Sequence, residues 1–239
     1  MGLVDIVRSK MYGWFFGAQN PVSTQWAYDA ILQQIPEGAT ILDIGCGDGI
    51  YFQNASAIAT IKQKKFKIFA IDIDAGAVEI CKERIIAAGL SDLVSAKAID
   101  VTEITDKYDY VLWMESFPVI PREIFPPLFK HSLTLVNKKA MLYHNLVPDE
   151  EATWFWRVSK PLLNYITLVD FGKLTTLTEM RQCMQEMTTC SFTMKPLLSC
   201  TLSEMHACGW LVTSVLNCFK AKSGDRKIVQ YLLEVDPSS

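Results

Sequence analysis

The feature that most constrains this chain is a set of glycines at alternating positions, Gly45, Gly47 and Gly49, placed directly after a short apolar segment. The apolar segment, residues 39–44, is expected to form a strand, and residues 50–61 are compatible with a helix. Glycines allow positive φ angles and let a ligand approach the main chain closely, and a helix N-terminus favours partial negative charge. The pattern predicts a ligand-binding turn between a strand and a helix, and a glycine-rich turn without a ligand is the alternative.

A second acidic strand end follows at Asp72, where a carboxylate can accept hydrogen bonds from the ribose hydroxyls of a nucleotide cofactor. Dinucleotide-binding enzymes use the pattern G-x-G-x-x-G, in which the third glycine allows the helix to pack closely on the strand. In this chain the glycines are spaced two and two, and Ile50 stands where that third glycine would be. The spacing therefore disfavours a nicotinamide-dependent oxidoreductase.

The segment from residue 39 to residue 146 alternates between strand-like and helix-like stretches, which predicts a parallel sheet with crossover helices. The expected strands are 39–44, 66–72, 93–99, 108–114 and 139–146. The expected helices include 49–60 and 75–88, the second with Asp74 as its N-cap and Gly89 as its stop. The alternation predicts an α/β fold with its ligand site at the carboxyl ends of the strands.

The C-terminal part of the chain has a different pattern. A short helix over 201–208 and two strands over 211–220 and 227–235, joined by a hairpin-type turn, are expected there. Residues 147–200 do not fit the alternating core and contain two helix-like stretches, about 150–168 and 175–190. A connection of this length inside a compact domain is usually a functional lid or binding segment.

Composition and charge limit the classes of function. Half of the residues are hydrophobic and the net charge is −3, so a dense basic face for nucleic acid is absent. The cluster Lys62, Lys64, Lys65 and Lys67 is interpreted as a solvated loop. Seven scattered cysteines without a C-x-x-C pair argue against a zinc site or a disulfide framework. No metal is therefore expected, and the protein is expected to be cytoplasmic. No secretory signal or transmembrane helix is expected.

The motifs together resemble those of class I S-adenosylmethionine (SAM)-dependent methyltransferases, over residues 35–146 and again over 200–235. The resemblance rests on the glycine loop, on Asp72, on the acid-plus-neighbour pair Asp100-Val101, and on the strand start Tyr108-Asp109-Tyr110-Val111. It implies SAM as the cofactor and a Rossmann-like, seven-stranded, mostly parallel sheet with helices on both faces. An antiparallel C-terminal strand would lie between strands five and six, and a helical lid would be inserted.

This resemblance implies four parts and a set of cofactor contacts. The parts are an N-terminal helical cover (1–38), a SAM-binding core (39–146), a lid or acceptor-binding insertion (147–200) and a C-terminal helix with a β-hairpin (201–239). The implied cofactor-binding residues are Asp43, Gly45, Cys46, Gly47, Gly49, Asp72, Ile73, Asp100, Val101 and Met114. Asp48 stands where such loops often have Thr or Ser, and its carboxylate could still accept a hydrogen bond.

Two residues are candidates for catalysis. His144 ends the fifth expected strand, where it is either a general base or a hydrogen-bonded structural histidine. The step Met114-Glu115 is similar to that of quinone-biosynthesis O-methyltransferases, although the pair that follows there is replaced by Pro118-Val119. Glu115 is therefore a pocket residue or a helix-capping acid.

Aromatic side chains are the candidates for binding the methyl acceptor: Tyr12, Trp14, Trp154 and Trp156. Aromatic faces suit flat apolar acceptors, or amines through cation–π attraction. They would equally pack a lid on the core, and a membrane-facing patch is a third reading, disfavoured by the few Lys and Arg residues.

The sequence thus predicts a methyltransferase that acts on a small, hydrophobic, aromatic or amine acceptor. The alternatives are a protein methyltransferase and a non-catalytic SAM-binding partner subunit. Oligomeric state is left open.

Overall fold

The computed structural model describes residues 21–114, 120, 124–144, 177–187, 190–201 and 227–237. The described residues form a seven-stranded sheet in the order β3-β2-β1-β4-β5-β7-β6. The strands are β1 Thr40–Ile44, β2 Lys67–Asp72, β3 Val94–Ala98, β4 Tyr108–Met114, β5 Val136–His144, β6 Ser191–Thr201 and β7 Lys227–Asp236. The helices are α1 Pro21–Leu32, α2 Ala55–Lys64, α3 Ala75–Ala87, α4 Phe125–Thr134 and α5 Leu177–Met187.

The strand directions confirm the expected fold class. Strands β1 to β5 pair in parallel, and Ile44 of β1 lies opposite Ile71 on one side and Trp113 on the other. Strand β7 pairs antiparallel with both β5 and β6, so it is the one reversed strand among those described. The chain order of the strands reverses between β1 and β4, which is the switch point where ligands bind in open α/β sheets.

Helices cover both faces of the sheet, and each face has its own apolar core. One core is built from α1, α2 and α3 against side chains such as Ile41 of β1. The other is built from α4 and α5 against the alternate side chains, Leu42 and Ile44. Because neighbouring side chains of a strand point to opposite faces, Asp43 lies on the α1 side of the sheet.

The helix expected over 49–60 is two shorter elements. A 3₁₀ turn spans Ile50–Gln53, and α2 begins only at Ala55. The break occurs because Asn54 is extended and its side chain accepts hydrogen bonds from the N–H groups of Ser56 and Ala57, which makes it the N-cap of α2. The expected caps of the next helix are confirmed, since Asp74 accepts from two N–H groups at the start of α3 and Gly89 has φ 62°.

Part of the segment expected to form a lid contributes a helix and a strand to the described core. Residues 177–187 form α5, whose Met180 and Met184 are buried in the core beside α4. Residues 191–201 form β6 at the edge of the main sheet, where Pro196 is tolerated. The remaining lid residues 147–176, the expected helix 201–208 beyond its first residue, and the expected strand 211–220 lie outside the described residues.

In the lysine cluster expected to be a solvated loop, Lys62, Lys65 and Lys67 are exposed, whereas Lys64 is partly buried and has a structural role. The Lys64 ammonium donates to the carbonyls of Leu32, Gln33 and Ile35 at 3.2, 2.7 and 2.7 Å. These carbonyls end α1, and a cation there also interacts favourably with the helix dipole. Lys64 therefore fixes the end of α1 against α2.

A charge network joins the last three strands of the sheet. The Glu234 carboxylate on β7 is nearly buried and forms ion pairs with Lys139 of β5 at 3.2 Å and with Lys195 of β6 at 2.8 Å. Burial acts to raise the pKa of Glu234, but the hydrogen bonds from the two ammonium groups outweigh it, and the pKa is lowered. The network stabilises the antiparallel strand between two parallel neighbours.

We predict that Glu234→Gln lowers the free energy of unfolding by about 1 kcal/mol at pH 7, since both lysines are partly exposed. A lowered folded-state pKa contributes stability that is present above the unfolded-state value of roughly 4.3 and is lost as the pH falls through the folded-state value. Urea denaturation should therefore show that the free energies of unfolding of the variant and the native protein differ less at pH 3 than at pH 7.

The matched control is Glu79→Gln, which removes an exposed ion pair with Lys82 on α3. That change should stay within about 0.5 kcal/mol at both pH values. An effect of Glu234→Gln that is no larger than the control, or that persists at pH 3, would contradict the assigned role of the network.

Candidate functional site

The parallel strands bring the predicted cofactor residues to one edge of the sheet. Asp72 ends β2 opposite Ala98 of β3, and Met114 ends β4 opposite Tyr143 of β5. The glycine loop leaves β1 between these ends. The structure therefore places the loop, Asp72, Asp100 and Met114 along the same edge, as the sequence predicts.

Hydrogen bonds to β2 hold the glycine loop in place. The three glycines have φ angles of 74°, 52° and 65°, which side chains of L-residues rarely adopt. The N–H groups of Gly45 and Cys46 donate to the carbonyl of Ile71 at 2.8 and 3.0 Å. The loop is therefore attached to the neighbouring strand through its backbone.

Two of the loop glycines have different surroundings. A Cβ atom added at Gly49 would lie 2.5 Å from Sγ of Cys81 and 2.9 Å from the Phe52 ring, so this residue is needed for close packing on α3. A Cβ atom added at Gly47 would meet nothing within 4 Å among the described residues. The described residues therefore leave space beside Gly47 at the edge of the sheet, through which a ligand can approach the main chain.

Asp72 connects the loop to the start of α3. One carboxylate oxygen accepts from the N–H of Gly47 at 2.8 Å, and the other accepts from the N–H of Asp74 at 2.9 Å. A carboxylate offers about four acceptor positions, so it can still accept hydrogen bonds from two hydroxyl groups. The neighbouring Ile73 is 79% exposed, which gives an apolar surface beside the carboxylate.

The Asp48 carboxylate has a protein partner. It forms an ion pair with Arg84 of α3 at 2.7 Å, and the same guanidinium group donates to the carbonyl of Asp48 at 2.8 Å. Where a Thr or Ser would offer a hydroxyl group, this chain has a charged link between the loop and α3. Asp48 therefore fixes the shape of the loop.

Cys46 lies in the loop with a buried thiol. A hydrogen bond with Cys81 and burial both raise the pKa of the Cys46 thiol. The thiol is therefore neutral and packs inward. The main chain of Cys46 is also used within the protein, because its N–H donates to the carbonyl of Ile71 and its carbonyl accepts from the N–H of Gly49, both at 3.0 Å.

Asp100 and Val101 lie where the sequence places them, and both have structural contacts. The Asp100 carboxylate caps the short turn Val101–Glu103 by accepting from the N–H and the hydroxyl of Thr102 at 2.8 and 2.7 Å. The hydrogen bond from the Thr102 N–H is the main reason that the pKa of Asp100 is lowered. Val101 is buried in the core on the α4 side. Their contact with adenine stays a prediction.

Asp43 is fully buried under the loop, with two tyrosines that the sequence reasoning missed. One of its oxygens, Oδ2, accepts from the Tyr51 hydroxyl at 2.5 Å and from the Tyr28 hydroxyl at 3.5 Å. The other, Oδ1, has no hydrogen-bond partner among the described residues. Burial raises the pKa of Asp43 to about 7, although the hydrogen bonds from the two hydroxyls oppose this shift.

The two tyrosine rings stack on each other with centroids 4.0 Å apart. Tyr51 follows the loop directly, so a search for donors to a buried acid could have found it. Tyr28 comes from α1, and nothing local in the sequence connects it to Asp43.

The remaining candidates have little or no described geometry. Glu115, Tyr12, Trp14, Trp154 and Trp156 lie outside the described residues. His144 is the last residue of β5 and lies opposite Tyr231 of β7. Over the described part of the chain, no cluster of three or more His, Cys, Asp or Glu side chains is arranged for a metal ion, and no helix has the length and apolarity needed to cross a bilayer.

Comparisons with solved structures agree with this fold. An O-methyltransferase family protein from Burkholderia thailandensis superposes with a TM-score of 0.59 at 11% identity, covering 96% of this chain and 59% of that one. The magnesium protoporphyrin IX methyltransferase of Synechocystis PCC 6803, solved with bound SAH, superposes with a TM-score of 0.56 at 14% identity, covering 98% of each chain.

Curated relatives match a part of the chain. The ribosomal protein L11 methyltransferase of Thermotoga maritima is 30% identical over 107 residues, which is 45% of this chain and 38% of that protein. The arginine N(omega)-methyltransferase of Streptomyces achromogenes is 31% identical over 92 residues, 38% of this chain and 24% of that protein. The chain thus spans well under half the length of these relatives.

The family model described as mycolic acid cyclopropane synthetase matches residues 24–203, from α1 past the end of β6. This range contains the glycine loop, Asp72 and the tyrosine pair around Asp43. The chain therefore belongs to this family of class I SAM-dependent methyltransferases.

Proposed function

We propose that this methyltransferase transfers the methyl group of SAM to a small, largely apolar acceptor bound at the carboxyl edge of the sheet. The family description, mycolic acid cyclopropane synthetase, refers to a mycolic acid. In the sequence, aromatic residues occur both before and after the cofactor-binding core. The observation that carries the proposal is the space that the described residues leave beside Gly47, whose N–H donates to the Asp72 carboxylate next to the exposed Ile73.

The residues at this edge fit the parts of SAM. The backbone of the glycine loop would border the amino-acid end, Asp72 would accept from the ribose hydroxyls, and Ile73 would cover the adenine. The cofactor supplies a sulfonium methyl group that is ready for in-line displacement. The protein then has to orient the acceptor atom toward that methyl group and exclude water.

The need for a base depends on the acceptor atom. A free amine is already a nucleophile, whereas a hydroxyl or thiol group has to lose a proton. His144 ends β5 at the same edge as the cofactor residues, so it is the first candidate for this base, with Glu115 the second. The aromatic residues Tyr12, Trp14, Trp154 and Trp156 would form the acceptor pocket.

A protein acceptor is the second candidate. It is favoured by the ribosomal protein L11 methyltransferases among the curated relatives, of which two are 30% and 29% identical over 107 and 101 residues of this chain. Incubation of the enzyme with labelled SAM and either a protein fraction or a small-molecule lipid fraction distinguishes the two. Label in the small-molecule fraction is the expected result, and label confined to protein would replace the proposal.

We predict that Asp72→Ala weakens SAM binding by about tenfold or more, because each lost charged hydrogen bond to a ribose hydroxyl costs about 1.5–3 kcal/mol. Calorimetry with SAM measures the change, and the nicotinamide dinucleotides should bind the native protein far more weakly. Asp92→Ala, an exposed acid near the start of β3, is the matched control and should leave SAM affinity unchanged. Unchanged affinity in folded Asp72→Ala would show that Asp72 only holds the loop.

We also predict that Gly47→Ala and Gly49→Ala fail in different ways. Both residues have positive φ, so each alanine costs on the order of 1 kcal/mol of strain. Gly49→Ala adds a clash with Cys81 and should lower the melting temperature clearly more. Gly47→Ala should stay folded and lose SAM affinity, as thermal unfolding and calorimetry on the same samples will measure. Equal loss of stability in both variants would contradict this division.

For the acceptor, we predict that Trp154→Ala or Trp156→Ala raises KM for the acceptor and leaves SAM binding nearly intact. His144→Ala should lower kcat for an oxygen or sulfur acceptor by about 10²-fold or more and have much less effect on an amine. His131→Ala is the matched control, because His131 contacts the carbonyl of Ile104 on the α4 side. Unaltered acceptor kinetics in both Trp variants would place the pocket elsewhere.

A further inference from the structure

We infer that Tyr51 and Tyr28 are positioning residues that hold Asp43 as a carboxylate beneath the glycine loop, and that cofactor affinity depends on this charge. The inference concerns the cofactor side of the site and does not depend on the identity of the acceptor. Tyr51 and Tyr28 are placed to act through Asp43, and neither is assigned a contact with the reacting atoms.

The hydrogen bonding of the Asp43 carboxylate is incomplete among the described residues. Both hydroxyl groups donate to Oδ2, whereas Oδ1 has no partner among the described residues although the whole side chain is buried. An ionised carboxylate without full compensation is costly in such a position. The uncompensated oxygen leaves this part of the protein with an attraction for positive charge. The cofactor has that charge, since SAM carries a sulfonium and an ammonium group.

Hydroxyl, thiol and carboxylate groups surround Asp43 in the described structure. The elements packed against it contribute Tyr28 from α1, Tyr51 from the 3₁₀ turn, Cys46 from the loop, Cys81 from α3 and Asp72 from β2. The tyrosine hydroxyls stay protonated, because burial raises the pKa of Tyr28 and of Tyr51. No lysine, arginine or histidine belongs to this described set. The two hydroxyls are therefore the only described groups that stabilise the ionised form of Asp43 by hydrogen bonding.

The two tyrosines connect Asp43 to the turn after the glycine loop and to α1. Tyr51 lies in the turn that follows the loop, and its hydroxyl is also 3.4 Å from the carbonyl of Cys46. Tyr28 belongs to α1, which is attached to the same turn by a hydrogen bond from the Gln25 side chain to the carbonyl of Ile50 at 3.0 Å. Any displacement of α1 would therefore change the number of hydroxyl groups on Asp43. The ionisation of Asp43 is therefore coupled to the position of α1.

The expected pH dependence follows from the pKa of Asp43, which is about 7 in the folded protein and roughly 4 in an unfolded chain. Folding takes up a proton between these values, so this group lowers the stability of the ligand-free protein as the pH rises from about 4 to 7. A ligand that binds the ionised form of Asp43 better than the protonated form binds more tightly as the pH rises. Cofactor affinity should therefore increase as the pH rises through 7.

The test is the affinity of S-adenosylhomocysteine, which keeps the ammonium group, measured by calorimetry between pH 6 and pH 8.5. Tyr51→Phe removes the stronger hydrogen bond, so it should weaken binding about tenfold at pH 7 and move the pH midpoint upward by about one unit. Tyr28→Phe should shift the midpoint less, because its hydrogen bond is longer. Asp43→Asn should remove the pH dependence in this range.

Tyr108→Phe is the matched control, because it removes a partly buried hydroxyl at the opposite edge of the sheet and should leave the pH profile unchanged. Equal weakening by Tyr51→Phe at every pH, or a native profile that is flat between pH 6 and 8.5, would overturn the inference. If a urea titration at pH 6 shows that Tyr51→Phe does not fold, Tyr28→Phe and Asp43→Asn test the inference. Tyr28→Phe should then still move the pH midpoint of binding upward, and Asp43→Asn should remove the pH dependence. Affinity for S-adenosylhomocysteine that is unchanged in all three variants would also overturn it, without affecting the proposed acceptor.

Discussion

The cofactor edge depends on the hydrogen bonds between the glycine loop and β2. The carbonyl of Ile71 accepts from two loop N–H groups, and the Asp72 carboxylate accepts from a third, at Gly47. These contacts fix the loop relative to the strand that carries the ribose-binding acid. They are available only because β1 and β2 are parallel neighbours in register, with Ile44 opposite Ile71. The sheet therefore sets the geometry of the loop, and the glycines allow the loop to accept it.

The charged residues around the loop reinforce this arrangement from the helical side. The ion pair of Asp48 with Arg84 ties the loop to α3, and Lys64 ties the end of α1 to α2. From the sequence, Asp48 was expected to be a possible ligand contact and Lys64 part of a solvated loop. In the structure they connect elements that are distant in the chain, and the rigidity of the loop follows from several such contacts together.

The sequence could predict the elements whose signals are local. Glycine spacing, acidic strand ends and the cap at Asp74 all depend on neighbouring residues, and the structure agrees with them. The break at Asn54 was also local, but the apolar pattern on both sides of it resembled one helix. Strand β6 could not be recognised in the same way, because its place in the sheet depends on pairing with β7 at the far end of the chain. Tyr28 was missed for a similar reason, since its partner Asp43 lies across a helix–sheet interface.

The position of β7 has a consequence for the order in which the protein can fold. During synthesis β1 to β5 emerge in sequence and can pair with neighbours that are already present, whereas β6 pairs in the described sheet only with the later β7. Residues 191–201 therefore have no partner strand in the described sheet until residues 227–236 have been synthesised. Non-local pairings of this kind form slowly, and an unpaired strand edge is prone to aggregation in the meantime. Slower translation beyond residue 201 should consequently prolong the most aggregation-prone interval in the biogenesis of this enzyme.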